Sequence, residues 1–169
     1  MTRSAALRSL LLLTVGLISC DASPRELVVG EDACRYCRMT IDDARFGGLV
    51  ITSRGRVETF DSIECLAAFV ASLPGTERPR AVWVADFAMP SRWVDVASAQ
   101  FLHQADLRSP MGRDLAAFAA TDRVPHQRYG GHILSWPDVL ALVARERFAP
   151  AGAPVGESAR TPSAPPARR

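Results

Sequence analysis

The sequence contains no lysine: all 20 of its basic residues are arginine. Without a lysine amine, the chain cannot form a Schiff base with a carbonyl substrate or cofactor. It also lacks a basic stripe with interleaved aromatic side chains, so no nucleic-acid partner is indicated. Its three histidines, His103, His126 and His132, have no metal-ligand spacing and are interpreted as structural or surface residues. With Cys20 set aside, the informative residues are the three cysteines Cys34, Cys37 and Cys65, of which the first two belong to one short cluster.

The N-terminus has the features of an export signal. Arg3 and Arg8 precede an apolar run of about ten residues, well short of the ~20 that a spanning helix needs. The run ends in Leu-Ile-Ser-Cys20, the form of a lipobox, which predicts removal of residues 1–19 and acylation of Cys20. The alternative is an ordinary secretion signal followed by a chance cysteine. Loss of the two arginines leaves 18 basic against 18 acidic residues, so the mature chain is formally neutral.

Composition divides the remainder of the chain. A short lipidated tether precedes the core, and a C-terminal segment rich in Pro, Ala, Gly and Ser has too little apolar surface to fold, which predicts a disordered tail. The predicted divisions are a signal peptide (1–19), a tether (20–32), one domain (33–148, with halves of about 33–88 and 89–148) and the tail (149–169).

Hydrophobic periodicity within the core predicts an α+β fold. Strands are predicted over 38–42, 48–53, 56–60, 81–87, 93–96, 99–103 and 132–134, with a two-residue turn at Arg54-Gly55. Helices are predicted over 63–73, from Ser109 and from Ser135. Shifting the chain by 49 residues aligns Cys65–Phe69 with Asp114–Phe118. We interpret the two halves as related ββα-type units.

The pattern Cys34-x-x-Cys37-x-Met39 permits three interpretations. The two cysteines can form a structural disulfide, or act as a thioredoxin-like redox pair, although that motif normally precedes a long helix. In the third interpretation, Cys37 and Met39 lie on one face of a strand and present a thiolate beside a thioether, a ligand pair that favours copper(I). Zinc would need two further ligands, and no second CxxC or HxxxH motif supplies them. Met111, in Ser-Pro-Met-Gly, is a third available soft ligand.

Several motifs in order along the chain resemble the NosL family, lipoprotein copper chaperones associated with nitrous oxide reductase. The matching segments are the lipobox at Cys20, Cys34–Met39, Thr59–Cys65, Trp83–Phe87, Trp93–Asp95 with Ala99, and Ser109–Gly112 with Ala116–Phe118. The resemblance implies a non-enzymatic protein with paired ββα-type units that binds copper(I) through Cys37, Met39 and Met111. The role of Cys34 stays open among free thiol, additional ligand and disulfide partner.

Two positions depart from that pattern or add to it. Arg38 stands where the family often has glycine, as in Cys-Gly-Met, and Cys65 has no metal role implied by the resemblance. We interpret Cys65 as a buried helix residue, and Asp61 and Glu64 as a helix cap with its return partner.

The sequence therefore predicts a periplasm-facing protein anchored to the cell membrane by lipid. It would deliver copper(I) to apo nitrous oxide reductase or to another periplasmic copper acceptor. The rival hypotheses are a periplasmic thiol–disulfide oxidoreductase that uses Cys34 and Cys37, and a structural lipoprotein.

Overall fold

The computed structural model describes residues 23–121 and 125–145. The predicted signal peptide, the lipidation site Cys20 and the predicted tail (149–169) lie outside the described residues. Two antiparallel sheets and a few helices form a small α+β domain, which confirms the predicted fold class. No helix in the described ranges has the length and apolar character needed to cross a membrane.

The first sheet has four strands in the order β2-β1-β3-β4. Its strands are β1 (Gly48–Ile51), β2 (Val57–Phe60), β3 (Ala81–Asp86) and β4 (Met89–Asp95). Every residue of β1 is buried, because this strand is paired on both edges and covered on its faces. A Cβ on Gly48 would lie 2.8 Å from the Leu66 side chain and 3.1 Å from the Trp83 carbonyl, so glycine permits close packing here.

The predicted hairpin between β1 and β2 is confirmed, with a loop one residue longer than predicted. The Thr52 N–H donates to the Arg56 carbonyl at 2.8 Å, which leaves three residues in the loop. Gly55 occupies the left-handed region at φ +80°, as the last loop residue of such a hairpin usually does.

Helix α1 (Ile63–Ser72) follows β2 and is capped by Ser62. The Ser62 hydroxyl accepts a hydrogen bond from the Cys65 N–H at 3.2 Å. The prediction that Asp61 caps this helix with Glu64 as its return partner is therefore wrong. The helix begins at Ile63 as predicted, but Ser62 caps it, and the carboxylates of Asp61 and Glu64 contact Cys37 and Ser109 instead.

The second sheet has three strands in the order β6-β5-β7. Its elements are β5 (Ala99–His103), β6 (Leu115–Ala119), a short helix α2 (Pro125–Tyr129), β7 (His132–Leu134) and helix α3 (Trp136–Arg145). The predictions of β7 and of a helix after Ser135 are confirmed. The Ser135 N–H donates to the Asp138 carboxylate at 2.9 Å, which closes the N-terminus of α3.

The predicted helix from Ser109 is wrong. Ser109 begins a turn in which the Gly112 N–H donates to the Ser109 carbonyl at 2.9 Å, and β6 follows. Serine, proline and glycine are favoured in type I turns as well as at helix starts, so the motif did not discriminate between them. The Ala-rich run of β6 favours a helix locally, but pairing with β5 along its whole length overrides that preference.

The strand predicted over 38–42 is also absent. Thr40 forms an isolated bridge with Ala33, and Arg38 adopts φ +69°, which interrupts an extended chain. The 49-residue alignment is not a structural repeat either, because it places residues of α1 on strand β6. Each half nevertheless combines antiparallel strands with a helix, and α1 and α3 pack together.

One buried carboxylate joins the two sheets. Asp86, at the end of β3, accepts hydrogen bonds from the backbone of Ala88, in the turn after β3, and of Met89, in β4, and it pairs with Arg92 of β4. It also accepts from the Ala119 N–H of β6 at 3.1 Å, and the Phe87 N–H donates to the Ala117 carbonyl. The core is therefore continuous, and the two halves form one structural unit.

Candidate metal centre

A compact loop positions the first two thiols. The Cys34 N–H donates to the Met39 carbonyl at 2.8 Å, and the Arg38 N–H donates to the Cys34 carbonyl at 3.0 Å. Closing this loop requires the left-handed backbone at Arg38, a conformation that glycine adopts with little strain. This requirement gives a physical reason for the glycine that the family often has at position 38. Because arginine has a Cβ, the left-handed conformation of Arg38 costs about 1–2 kcal/mol.

Strand β2 holds the loop against the first sheet. The Arg35 N–H donates to the Thr59 carbonyl at 2.7 Å, and the Thr59 hydroxyl donates to the Ala33 carbonyl at 3.0 Å. These two bonds place the cysteine loop beside the end of β2, where Asp61 and helix α1 follow directly.

Four side chains converge at this junction. One ligand atom each from Cys34, Cys37, Asp61 and Cys65 lies within 4.8 Å of every other. The three cysteines are free thiols; Cys34, Asp61 and Cys65 are almost fully buried, and Cys37 is partly exposed. The cluster can hold a metal ion. Besides the Cys34–Cys37 pair, it contains two further candidate ligands, Cys65 and Asp61.

The cluster has one unused oxygen. Asp61 Oδ2 accepts a hydrogen bond from the Cys37 thiol at 3.4 Å, whereas Asp61 Oδ1 is buried and finds no hydrogen-bond partner within the described ranges. A buried carboxylate oxygen without a partner is costly in a protein that binds nothing there. The donor set therefore fits a cation.

Hydrogen bonds and burial separate the pKa values of the thiols. A hydrogen bond from the Cys65 thiol lowers the pKa of Cys34 to about 7. Donating that bond raises the pKa of Cys65, and burial adds to the effect. Burial raises the pKa of Cys37 to about 12. Cys34 is thus the thiol that ionises first.

The turn that carries Met111 is tied to the start of α1. The Ser109 hydroxyl donates to the buried Glu64 carboxylate and accepts from the backbone of Arg113 and Asp114. Burial raises the pKa of Glu64. Because Glu64 directly precedes Cys65, this contact fixes the Met111 turn relative to the helix that supplies the third thiol.

The structure places each residue of the predicted copper set near the start of α1 or on a turn tied to it, except that the Met39 side chain is described only by its exposure. Cys37 and Cys34 belong to the four-residue cluster, whereas Met39 is 52% exposed. Met111 is partly buried and packs against the core cluster that contains Cys34 and Cys65. The ligand roles of Cys37, Met39 and Met111 stay predictions.

Sequence reasoning overlooked Asp61 and Cys65 as possible ligands. They lie four residues apart in the sequence: Asp61 directly precedes the Ser62 cap, and Cys65 lies in the first turn of α1. That spacing was visible in the sequence. Their approach to the cysteine loop depends on pairing between the loop and β2, which periodicity does not reveal.

The fold and cluster define a small α+β domain with a thiol-rich site able to hold a metal ion. The NosL family model matches residues 27–143, and the chain belongs to that family. A crystal structure of the copper chaperone NosL from Shewanella denitrificans has a similar fold, with a TM-score of 0.57 and 18% sequence identity over 69% of this chain and 95% of that chain. No curated protein sequence matches the chain significantly.

Proposed function

We propose that this chain is a copper(I) chaperone that binds its cargo through Cys37, Met39 and Met111. The observation that carries the proposal is the group of free thiols at the entrance to α1, in a chain of the NosL family. Thiolate and thioether sulfur atoms are soft ligands that favour copper(I) over hard cations. One thiolate and two thioethers would leave copper(I) three-coordinate and formally neutral.

The exposure of the proposed ligands suits transfer by ligand exchange. Met39 is 52% exposed and Cys37 is partly exposed, so an acceptor can approach the thioether side first. The ligands of the acceptor would displace the two thioethers first and the Cys37 thiolate last. The transfer is ligand exchange and involves no catalytic turnover.

We further propose that the acceptor is nitrous oxide reductase, at its copper–sulfur centre, and that lipid on Cys20 holds the chain on the periplasmic face of the cell membrane. Family membership and the lipobox support these two statements. The transfer test adds the copper(I)-loaded chain to apo nitrous oxide reductase and follows copper in the separated proteins. Retention of all copper by the donor would overturn the proposed acceptor.

The ligand set is tested by copper(I) titration against a competing chelator under a reductant. Met39→Leu and Met111→Leu each remove a thioether sulfur, so each should weaken copper(I) binding by about tenfold or more, roughly 1.4 kcal/mol. Because leucine keeps the side-chain volume, neither change should unfold the domain. Cys37→Ser should abolish tight binding. Met89→Leu is the matched control, because Met89 is 53% exposed, almost the same as Met39. Its affinity should stay that of the wild type.

Wild-type affinity in both Met39→Leu and Met111→Leu, with loss of binding in Cys34→Ser and Cys37→Ser, would contradict this ligand set and indicate a dithiol site. The oxidoreductase hypothesis is separated by a thiol–disulfide exchange assay. An enzyme of that kind would need Cys34 and Cys37 and would be indifferent to Met39 and Met111.

The anchor is tested by labelling cells with palmitate. Cys20→Ala should abolish labelling and leave the chain as a precursor or unanchored, because thioether lipidation requires that sulfur. Normal membrane retention of this variant would contradict the lipoprotein prediction.

A further inference from the structure

The two segments that carry the proposed copper(I) ligands are basic. Residues 34–40, which include Cys37 and Met39, contain two arginines, and residues 107–113, which include Met111, contain two more. Neither segment contains an acidic residue. The local excess of positive charge is notable because the mature chain as a whole is predicted to be formally neutral.

These two segments meet at the start of α1. The Ser109 hydroxyl of the second segment donates to Glu64 in the first turn of the helix, and the thiol of neighbouring Cys65 lies within 4.8 Å of both thiols of the first segment. Met111 and Cys37 also pack against the same core cluster. The backbones of all four arginines therefore border one site, although they come from parts of the chain that are distant in sequence.

Two of these arginines, Arg38 and Arg108, are exposed and have no counter-ion of their own. Neither guanidinium forms a hydrogen bond or an ion pair with any residue in the described ranges, 23–121 and 125–145. In contrast, Arg35 pairs with Glu58 at 3.4 Å, and Arg113 is partly buried. Arg38 and Arg108, here called the arginine rim, therefore present positive charges that the described part of the domain does not neutralise.

The backbone is strained at both rim positions. Arg38 and Arg108 adopt φ +69° and +52°, and in the part of the chain that the structure describes Asp114 is the one other non-glycine residue in the left-handed region. Strained conformations of this kind persist where the surrounding structure fixes them, and they cluster at binding sites. Glycine would adopt either conformation with less strain. The two cations therefore stand where a smaller residue would fit the backbone better, which points to a role in binding.

We propose that the arginine rim is a docking surface for a copper acceptor protein whose own copper ligands are bordered by carboxylates. The inference rests on the proposed function, because it assigns the kind of partner that this same site meets. An arginine without an internal counter-ion attracts anions, and a guanidinium can pair with a carboxylate through two parallel hydrogen bonds. Arginine and methionine are both enriched at protein interfaces, so exposed Met39 beside Arg38 fits contact with a protein better than contact with lipid headgroups.

The rim would act on the rate of transfer and on the choice of acceptor. Complementary charge raises the rate of encounter by about 10- to 1,000-fold, and this effect falls steeply with ionic strength. An acidic acceptor would therefore be favoured over a neutral one with the same copper ligands. Any effect of the arginines on copper(I) affinity itself would change transfer to both acceptors equally. The ratio of the two rates thus isolates docking from metal binding.

The test measures copper(I) transfer from the loaded full-length chain to two synthetic peptides under a non-thiol reductant. Both peptides carry the same Cys-x-x-Cys acceptor and a fluorophore that copper(I) quenches, and the acceptor is flanked by glutamates in one peptide and by glutamines in the other. At low salt, wild type should load the glutamate peptide about tenfold faster. Arg38→Gln and Arg108→Gln should each lower that ratio by about threefold. At about 1 M salt the preference should disappear, because the Debye length falls to ~3 Å.

Three variants serve as controls. Arg54→Gln removes the same charge from an exposed arginine in the β1–β2 loop, at the opposite end of β2 from Asp61, and should keep the wild-type ratio. Arg38→Lys keeps the positive charge and should also keep the ratio. Arg38→Gly relieves the left-handed strain, so it should raise the Tm while it lowers the ratio. Circular dichroism measures the Tm and confirms that each variant is folded.

Equal loading of both peptides by wild type, or an unchanged ratio in a folded double variant with Arg38→Gln and Arg108→Gln, would overturn the docking rim and leave the copper(I) proposal intact. Failure of wild type to bind copper(I) would instead overturn the proposed function, and the rim with it. Cosedimentation with phosphatidylglycerol vesicles tests lipid as the alternative partner. The double variant should bind these vesicles as wild type does, and loss of that binding would overturn the choice of a protein partner.

Discussion

Cys37 supplies the thiolate of the proposed copper(I) site, and its surroundings set how strongly protons compete with the metal ion for that sulfur atom. The thiol donates to Asp61 and lies partly buried, and burial raises its pKa to about 12. At neutral pH it is therefore protonated, whereas the pKa of neighbouring Cys34 is lowered to about 7 by the hydrogen bond from Cys65. Metal binding at Cys37 must release a proton.

The pH dependence of copper(I) affinity follows from that proton. Because a raised thiol pKa favours the protonated form, affinity should increase with pH, by about tenfold per pH unit for release of one proton. The increase should continue through neutral and mildly alkaline pH, since the pKa of Cys37 lies near 12. Competition titrations at several pH values measure it, with Met89→Leu as the control that keeps the slope. A pH-independent affinity would contradict Cys37 as the ligand.

Single residues also show which parts of the site the sequence could indicate. Cys34, Cys37 and Met39 were found because their short spacing is itself a signal. Asp61 and Cys65 were assigned to capping and packing, since each role was locally sufficient. Ser62 provides the cap that Asp61 was expected to provide, and so the carboxylate lies free to face the thiols.

At the scale of elements, the loop before β6 shows why local motifs can mislead. Ser109, Pro110 and Gly112 suit a turn and a helix start equally well. The strand that follows is decided by partners distant in sequence, namely β5 along one edge and the Asp86 carboxylate at its end. In contrast, α1 and α3 were predicted correctly because each combines a cap with helical periodicity.

Gly112 provides a test of this turn. It adopts φ +68°, and a Cβ there would meet nothing within 4 Å, so substitution strains the backbone without a steric clash. Gly112→Ala should lower the free energy of unfolding by about 1–2 kcal/mol. Gly75→Ala is the control: Gly75 also has open space around it, but its φ lies outside the left-handed region. Urea unfolding of both variants measures the difference, and equal stability would show that the turn tolerates a side chain.

At the scale of the whole molecule, the sequence predicted the class of fold and the order of most elements, but not how the halves combine. The hydrophobic period identifies β1, α1 and β3 individually, whereas the two-sheet arrangement depends on pairings such as Phe87 with Ala117. The metal cluster is a product of the same long-range packing, because it joins a loop, a strand end and a helix start.

The last two elements should be indispensable to this packing, whereas the segment beyond them should not be. Strand β7 pairs with β5, and Trp136 of α3 contacts Phe101 with ring centroids 5.5 Å apart. Val139 and Val143 are 0% and 5% exposed, and burying each contributes about 1.5–3 kcal/mol.

Two truncations of the full chain therefore make a matched pair. Ending the chain after Gly131 removes β7 and α3, and the loss should approach the 5–15 kcal/mol that typically stabilises a domain, abolishing cooperative unfolding. Ending it after Pro150 removes only the segment whose composition predicts disorder, and should change the free energy of unfolding by less than about 1 kcal/mol, a few degrees in Tm. Thermal denaturation followed by circular dichroism measures both. A Tm lowered by more than a few degrees in the chain that ends after Pro150 would show that the tail packs against the domain. A cooperative transition in the chain that ends after Gly131 would show that the core does not require β7 and α3.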